Sequence, residues 1–246
     1  MTLSIDTLTE RDIAKAIDHS LLRPELDDAF VEDGCRLAAE YDVASVCVRP
    51  ADVRRARAIL DGTDVAVGTV IGFPHGNHLT DTKLCEARQA LADGATELDM
   101  VIQIGALKSG RDADVGADIA AIVEVAHAAG AIVKVIFENA YLTDDEKIRA
   151  CRLSEAAGAD FVKTSTGFAP GGATHDDLRL MRANTAPHVQ VKAAGGVRTL
   201  DALLEVMALG TTRIGATATR AIIDDFRARK SGRSPVPAAT PSDGGY

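Results

Sequence analysis

Lys163 and Lys192 sit in two similar stretches, ADFVKTSTGF (159–168) and VQVKAAGGVR (189–198). Each is an apolar run that gives way to small residues and glycines. Burying a lysine is costly, because its ammonium must shed strongly bound water. Burial and a neighbouring cation both lower a lysine pKa, so a close buried pair predicts a neutral amine at working pH. A neutral amine attacks a carbonyl and forms a Schiff base. A lone lysine in a strand is more often a snorkelling edge residue or half of an ion pair. Two lysines in the same setting, each leading into a glycine-bearing loop, point to a site.

The elements around these lysines repeat one pattern. A helical stretch ends in glycine and a short β-rich run follows, as in 91–102, 126–137, 155–165 and 207–216. Gly94, Gly130, Gly158 and Gly210 fit the left-handed position after a helix end. Eight strands are expected, at 16–19, 43–48, 65–72, 97–102, 132–138, 161–164, 189–193 and 213–215. Helices lie between them: 114–129 carries an apolar stripe, and Thr143 with Glu146 forms a capping box that opens the next helix. Strands alternating with helices give a parallel sheet, and eight such units in about 230 residues suit a single-domain (β/α)8 barrel over 1–230. An open doubly wound sheet is the rival, weakened because no glycine-rich dinucleotide fingerprint follows the first strand. Residues 231–246, rich in Pro, Gly and Ser, are expected to form a disordered tail.

In a barrel the chemistry belongs at the C-terminal ends of the strands. Asp18 falls there on the first strand, Cys47 on the second, Asp99 in the fourth, Glu138 after the fifth, Lys163 on the sixth and Lys192 on the seventh. An apolar interior accepts such charges only if they satisfy one another, either as a structural ion-pair network or as a carboxylate that positions amines and relays protons. Gly167, Gly195, Gly196 and Gly215 follow the later strands. Their open backbone N–H groups, helped by Arg198, would suit a phosphate. His75 and His78 lack a carboxylate at ligand spacing, so they read as loop residues and no metal or cofactor is expected. Cys47 reads as a small buried apolar residue.

Composition narrows the remaining classes. The chain has 246 residues, is 46% hydrophobic and carries a net charge of −9. An acidic surface argues against nucleic acid and anionic membranes as partners. No apolar run is long enough to span a bilayer and no signal-like segment opens the chain, so it reads as soluble and cytoplasmic. The four cysteines, Cys35, Cys47, Cys85 and Cys151, form no CxxC pair.

Taken together, the segments IDHSLL (17–22), SVCVRP (45–50), VIGFPHG (70–76), ELDMVIQIGALKSG (97–110), KVIFENAYLT (134–143), FVKTSTGF (161–168), VKAAGGVRT (191–199) and RIGAT (213–217) resemble the deoxyribose-phosphate aldolase family from about Ile13 to Ala218. The resemblance implies a (β/α)8 class I aldolase, independent of metal, that reversibly cleaves 2-deoxy-D-ribose 5-phosphate to D-glyceraldehyde 3-phosphate and acetaldehyde. It casts Lys163 as the Schiff-base lysine, Lys192 as the lysine that lowers its pKa, and Asp99 as the carboxylate that orders the proton-relay water. Asp18 would lie near the second lysine. Ser20, Cys47, Gly167, Gly195, Gly196, Arg198, Gly215 and Thr217 would bind substrate. The resemblance further implies a homodimer and a C-terminal tyrosine, here Tyr246, that reaches the site to move a proton. The chain departs from the family at Thr217 and Ala218, where two serines are common, at Phe168, where some members carry lysine, and at Gln103, where asparagine is common. Two other activities compete: a Schiff-base aldolase for another sugar phosphate, and a metal-dependent aldolase. A silent barrel that only binds a phosphate ligand is the rival from another class.

Overall fold

The computed structural model describes residues 3–235. Eight parallel strands close into a barrel in sequence order: β1 (Ile17–Leu21), β2 (Ser45–Val48), β3 (Ala66–Ile71), β4 (Glu97–Val101), β5 (Ile132–Ile136), β6 (Phe161–Lys163), β7 (Gln190–Ala194) and β8 (Thr211–Ala216). The last strand pairs with the first, Asp18 opposite Gly215. The expected (β/α)8 barrel is therefore the fold, and the open sheet is excluded. Strand ends moved by a few residues. At β8 the strand begins two residues earlier than expected because Thr211 and Arg213 pair with β7.

Helices return the chain between strands. They are α1 (Glu10–Ala14), α2 (Asp28–Glu40), α3 (Val53–Ile59), α4 (Thr80–Ala92), α5 (Ile104–Lys108), α6 (Asp112–Ala128), α7 (Asp144–Ala156), α8 (His175–Ala183), α9 (Leu200–Ala208) and α10 (Thr219–Lys230). The Thr143–Glu146 capping box opens α7 as expected, each side chain bonding the other's backbone N–H. Gly94, Gly130, Gly158 and Gly210 all take positive φ after their helices. No helix among the described residues is long and apolar enough to cross a membrane.

Strand alternation sends successive side chains to opposite faces. Leu98 and Met100 of β4, Val133 and Val135 of β5, Val162 of β6 and Val191 and Ala193 of β7 join the apolar layer beneath the helices. The interleaved positions point into the barrel, and there the chain places charge: Glu97, Asp99, Lys134, Lys163 and Lys192, joined by Asp18 from β1 and Arg213 from β8. Barrels usually fill this space with branched apolar layers. A second buried pair braces the wall outside. Lys83 of α4 donates to Asp118 of α6 at 2.6 Å and to the Val101 carbonyl at the end of β4 at 2.8 Å.

Candidate active site

One carboxylate organises the barrel interior. Asp99 Oδ2 accepts from Lys163 Nζ and from Lys192 Nζ, each at 2.7 Å, and its Oδ1 accepts from Lys134 Nζ at 2.8 Å. Lys134 also donates to Glu97 at 2.6 Å, and Lys192 lies 2.5 Å from Asp18 Oδ2. Arg213 closes the network from below. Its Nε donates to Asp18 Oδ1 at 2.6 Å, and its Nη2 reaches Glu97 at 2.8 Å and Ser45 at 3.1 Å. Neighbouring strands in register make this convergence possible, with Lys163 opposite Lys192, Lys192 opposite Arg213, and Asp99 opposite Lys134.

All three carboxylates and all three lysines are nearly inaccessible. Burial pushes the Asp99 carboxyl up, but Lys134, Lys163 and Lys192 outweigh it and hold Asp99 well below the usual carboxylate range. Asp18 is lowered in the same way, by Lys192, Arg213 and Lys134 against burial. For Lys163, burial works to remove the charge, yet the Asp99 carboxylate dominates and raises the amine above an ordinary lysine. Lys192 is raised likewise, by Asp18 and Asp99. This corrects the expectation of a lysine pair that is neutral at rest. Considering two cations alone omitted the carboxylate bonded to both. Lys134, absent from that reading, is the cation that works with burial against the charge on Lys163.

Above the network lies a cavity that opens to solvent at the barrel mouth. Lys163 and Lys192 are in its lining, with Asp18, Ser20, Cys47, Gly195, Gly196, Arg198, Gly215 and Thr217. These expected residues from five strands and their loops thus share one space. Asp99 sits just outside the lining, fully buried and bonded to both lysines. Gly167 is a correction: it does not line the cavity, whereas its neighbour Thr166 does. Glu138 is another, because it faces the loop and not the cavity. It takes a left-handed conformation at φ 59°, and its buried carboxylate accepts from the Thr166 backbone N–H at 3.2 Å and from the Thr166 hydroxyl. It thereby fixes the turn that follows Lys163. Tyr246 lies outside the described residues.

Gly195 shows why the loop after β7 needs glycine. Its φ is +80°, and a Cβ there would come within 2.9 Å of Gly172 Cα. The close approach lets Ala173 N–H donate to the carbonyls of Ala194 and Gly195. Leu22, Cys47 and Val70 form a small apolar cluster at the barrel mouth, with Phe73 packed against it. Phe73 meets Phe168 edge to face at 5.2 Å. Burial pushes the Cys47 thiol up to about 11, so it stays a neutral wall residue.

Sequence reading missed Lys134, Glu97 and Arg213. Their signal was available. Glu97 shares strand parity with Asp99 on β4 and Arg213 with Gly215 on β8, both already singled out, and Lys134 is a lone charge between Val133 and Val135 on β5.

The geometry agrees with what this chain is similar to. Residues 12–225 match the family model described as DeoC/LacD family aldolase. A deoxyribose-phosphate aldolase of Rhodopirellula baltica is 48% identical over 235 residues, covering 96% of this chain and 97% of that protein. Deoxyribose-phosphate aldolase 2 of Bacillus licheniformis is 52% identical over 211 residues, covering 86% of this chain and 94% of its own length. Among solved structures, the tetrameric deoxyribose phosphate aldolase of Aeropyrum pernix superposes with a TM-score of 0.83 at 30% identity, covering 90% of this chain and 93% of that one. With its barrel, its buried lysines and a match that spans nearly the whole barrel, the chain belongs to the DeoC/LacD aldolase family.

Proposed function

We propose that this protein is a deoxyribose-phosphate aldolase that works through a Schiff base on Lys163, without a metal. The observation that carries the reading is the placement of Lys163 at the cavity, sharing one Asp99 oxygen with Lys192. The high identity to named deoxyribose-phosphate aldolases supports the choice of substrate.

In the resting site Lys163 is an ammonium held by Asp99. Loss of its proton to cavity solvent creates the nucleophile. The amine adds to the C1 carbonyl of open-chain 2-deoxy-D-ribose 5-phosphate, and loss of water from the carbinolamine gives an iminium. The C2–C3 bond breaks, its electrons flow to the iminium nitrogen, and the C3 hydroxyl loses its proton. D-Glyceraldehyde 3-phosphate leaves and an acetaldehyde enamine remains. A proton delivered to the enamine carbon regenerates an iminium, and hydrolysis frees acetaldehyde and Lys163. Asp99 and Lys192, bonded to each other beside the amine, are the groups placed to order water for these transfers. Tyr246, at the end of the tail proposed for 231–246, is a further proton carrier in this reading.

The phosphate end has its own donors. Gly195 and Gly196 offer backbone N–H groups and Arg198 a positive charge at the cavity rim. α10 starts two residues after Thr217, and its N-cap Ala218 supplies no side-chain hydrogen bond. That end therefore offers the phosphate one hydroxyl, from Thr217. The four free cysteines suit a reducing compartment, and we place the protein in the cytoplasm as a homodimer.

A panel of sugar phosphates tests the reading. Acetaldehyde release from 2-deoxyribose 5-phosphate, undiminished by a chelator, is the expected result. Release of another aldehyde from another sugar phosphate would assign a different aldolase.

A further inference from the structure

Seven ionisable groups fill the barrel interior, and their charges do not balance. Lys134, Lys163, Lys192 and Arg213 are four cations, while Asp18, Glu97 and Asp99 are three carboxylates. Fully ionised, the cluster holds one surplus positive charge away from water, which is costly. Three of the cations are each held by at least two carboxylates, and Lys134 also lies 3.7 Å from Asp18. Lys134 has Glu97 and Asp99, Lys192 has Asp18 and Asp99, and Arg213 has Asp18 and Glu97. Lys163 has Asp99 alone, through an oxygen that also serves Lys192. It is the cation whose proton the cluster gives up at least cost. Arg213 cannot be that donor, because a guanidinium does not deprotonate in proteins.

We infer that Arg213 is a positioning residue whose permanent charge, fixed between Asp18 and Glu97, occupies carboxylate capacity that would otherwise hold Lys163 protonated. This inference rests on Lys163 being the nucleophile. Arg213 is not in the cavity lining and acts through the two carboxylates. Its other neighbours are Ser45 of β2 and the ring of Phe161 on β6, which stacks 5.9 Å from the guanidinium carbon. Around Lys163 itself the charged and titratable groups are Asp99, Lys134 and Cys47, with Lys192 sharing the Asp99 oxygen. Every one of these belongs to the cluster or, as the Cys47 thiol, stays neutral.

The sign of the effect follows from charge. Removing Arg213 leaves three lysines facing three carboxylates, so each lysine is retained as a cation and the Lys163 pKa rises. Removing one carboxylate instead enlarges the positive surplus, so that pKa falls. Two residues remote from substrate should therefore move the same titration in opposite directions.

The test is the pH dependence of acetaldehyde α-proton exchange into deuterated water, followed by NMR. Acetaldehyde has no titrating phosphate, so the acid limb of the second-order rate reports the free enzyme. In Arg213→Met the limb should move up by about one pH unit or more, with roughly a tenfold loss on the acid side that recovers at higher pH. Arg213→Lys should restore the limb, and Glu97→Gln should move it down. A uniform loss in Arg213→Met with an unmoved limb would overturn the inference, as would shifts of both variants in one direction. If Arg213→Met does not fold, Glu97→Gln decides, because an unshifted or raised limb contradicts the charge account. Borohydride trapping of the wild type with acetaldehyde separates the two readings. Absence of an adduct on Lys163 removes the nucleophile and the inference with it, whereas an adduct with unmoved limbs overturns the role of Arg213 alone.

Discussion

Asp99 and Lys163 meet at 2.7 Å, and the same carboxylate oxygen holds Lys192 at the same distance. In the proposed mechanism the nucleophile is thus stored as an ion pair, held by a carboxylate oxygen that also binds Lys192. Asp99→Asn keeps the shape but leaves three buried lysines short of one negative charge. Breaking a buried pair by removing one partner typically costs about 3–5 kcal/mol. We expect a large fall in the denaturation midpoint and a loss of turnover of about a hundred- to ten-thousand-fold. Chemical denaturation and steady-state kinetics on the same preparation check both.

Lys163→Leu should abolish turnover while the far-ultraviolet circular dichroism stays that of the wild type. Lys192→Leu should retain an adduct-forming Lys163 but lose most of its rate, since Lys192 shares the Asp99 oxygen and is the second amine in the cavity lining. Single-turnover trapping separates the two variants: no adduct in the first, slow adduct formation in the second.

Stability at mildly acidic pH should depend on His19. Burial lowers this imidazole from an ordinary 6.5 to about 4, and its Nδ1 is 2.9 Å from the Thr219 hydroxyl. The folded protein keeps His19 neutral while the unfolded chain binds a proton below pH 6.5, so stability falls as pH drops from 6.5 through about 4. The loss over that window is about 3 kcal/mol. His19→Gln removes the titration and should flatten the wild-type slope. Asp18 and Asp99 add a further loss only below the ordinary carboxylate range, because their folded pKa values are depressed by the neighbouring lysines.

Glu138→Ala should slow catalysis although Glu138 is not itself in the cavity lining. Its carboxylate holds Thr166, three residues after Lys163. Misplacing a reacting group by about 1 Å can cost about a hundredfold in rate. The variant should lose kcat with the pH profile unmoved, which pH-resolved kinetics would show.

How much of this was legible in the sequence varies by element. The glycine-ended helices and the apolar runs after them gave the eight βα units, because Gly94, Gly130, Gly158 and Gly210 mark helix ends by local backbone preference alone. Lys163, Lys192 and Asp99 were legible as charges in apolar strands. Their protonation was not, because it depends on how many carboxylates converge, and convergence is a property of barrel closure. Lys134 and Arg213 were missed for the same reason. Each looks like an ordinary strand charge until β5 and β8 are placed beside β4 and β1. Gly167 was placed because it follows the sixth strand, and Glu138 because it follows the fifth. The left-handed turn at Glu138 decides which way the lysine loop faces, and nothing in a non-glycine residue announces a positive φ.

The most direct measurement is borohydride reduction in the presence of acetaldehyde, followed by peptide mass mapping. A single reduced ethyl adduct on Lys163 is the predicted result. An adduct on Lys192, adducts scattered over surface lysines, or none at all would contradict the assignment of Lys163 as the nucleophile.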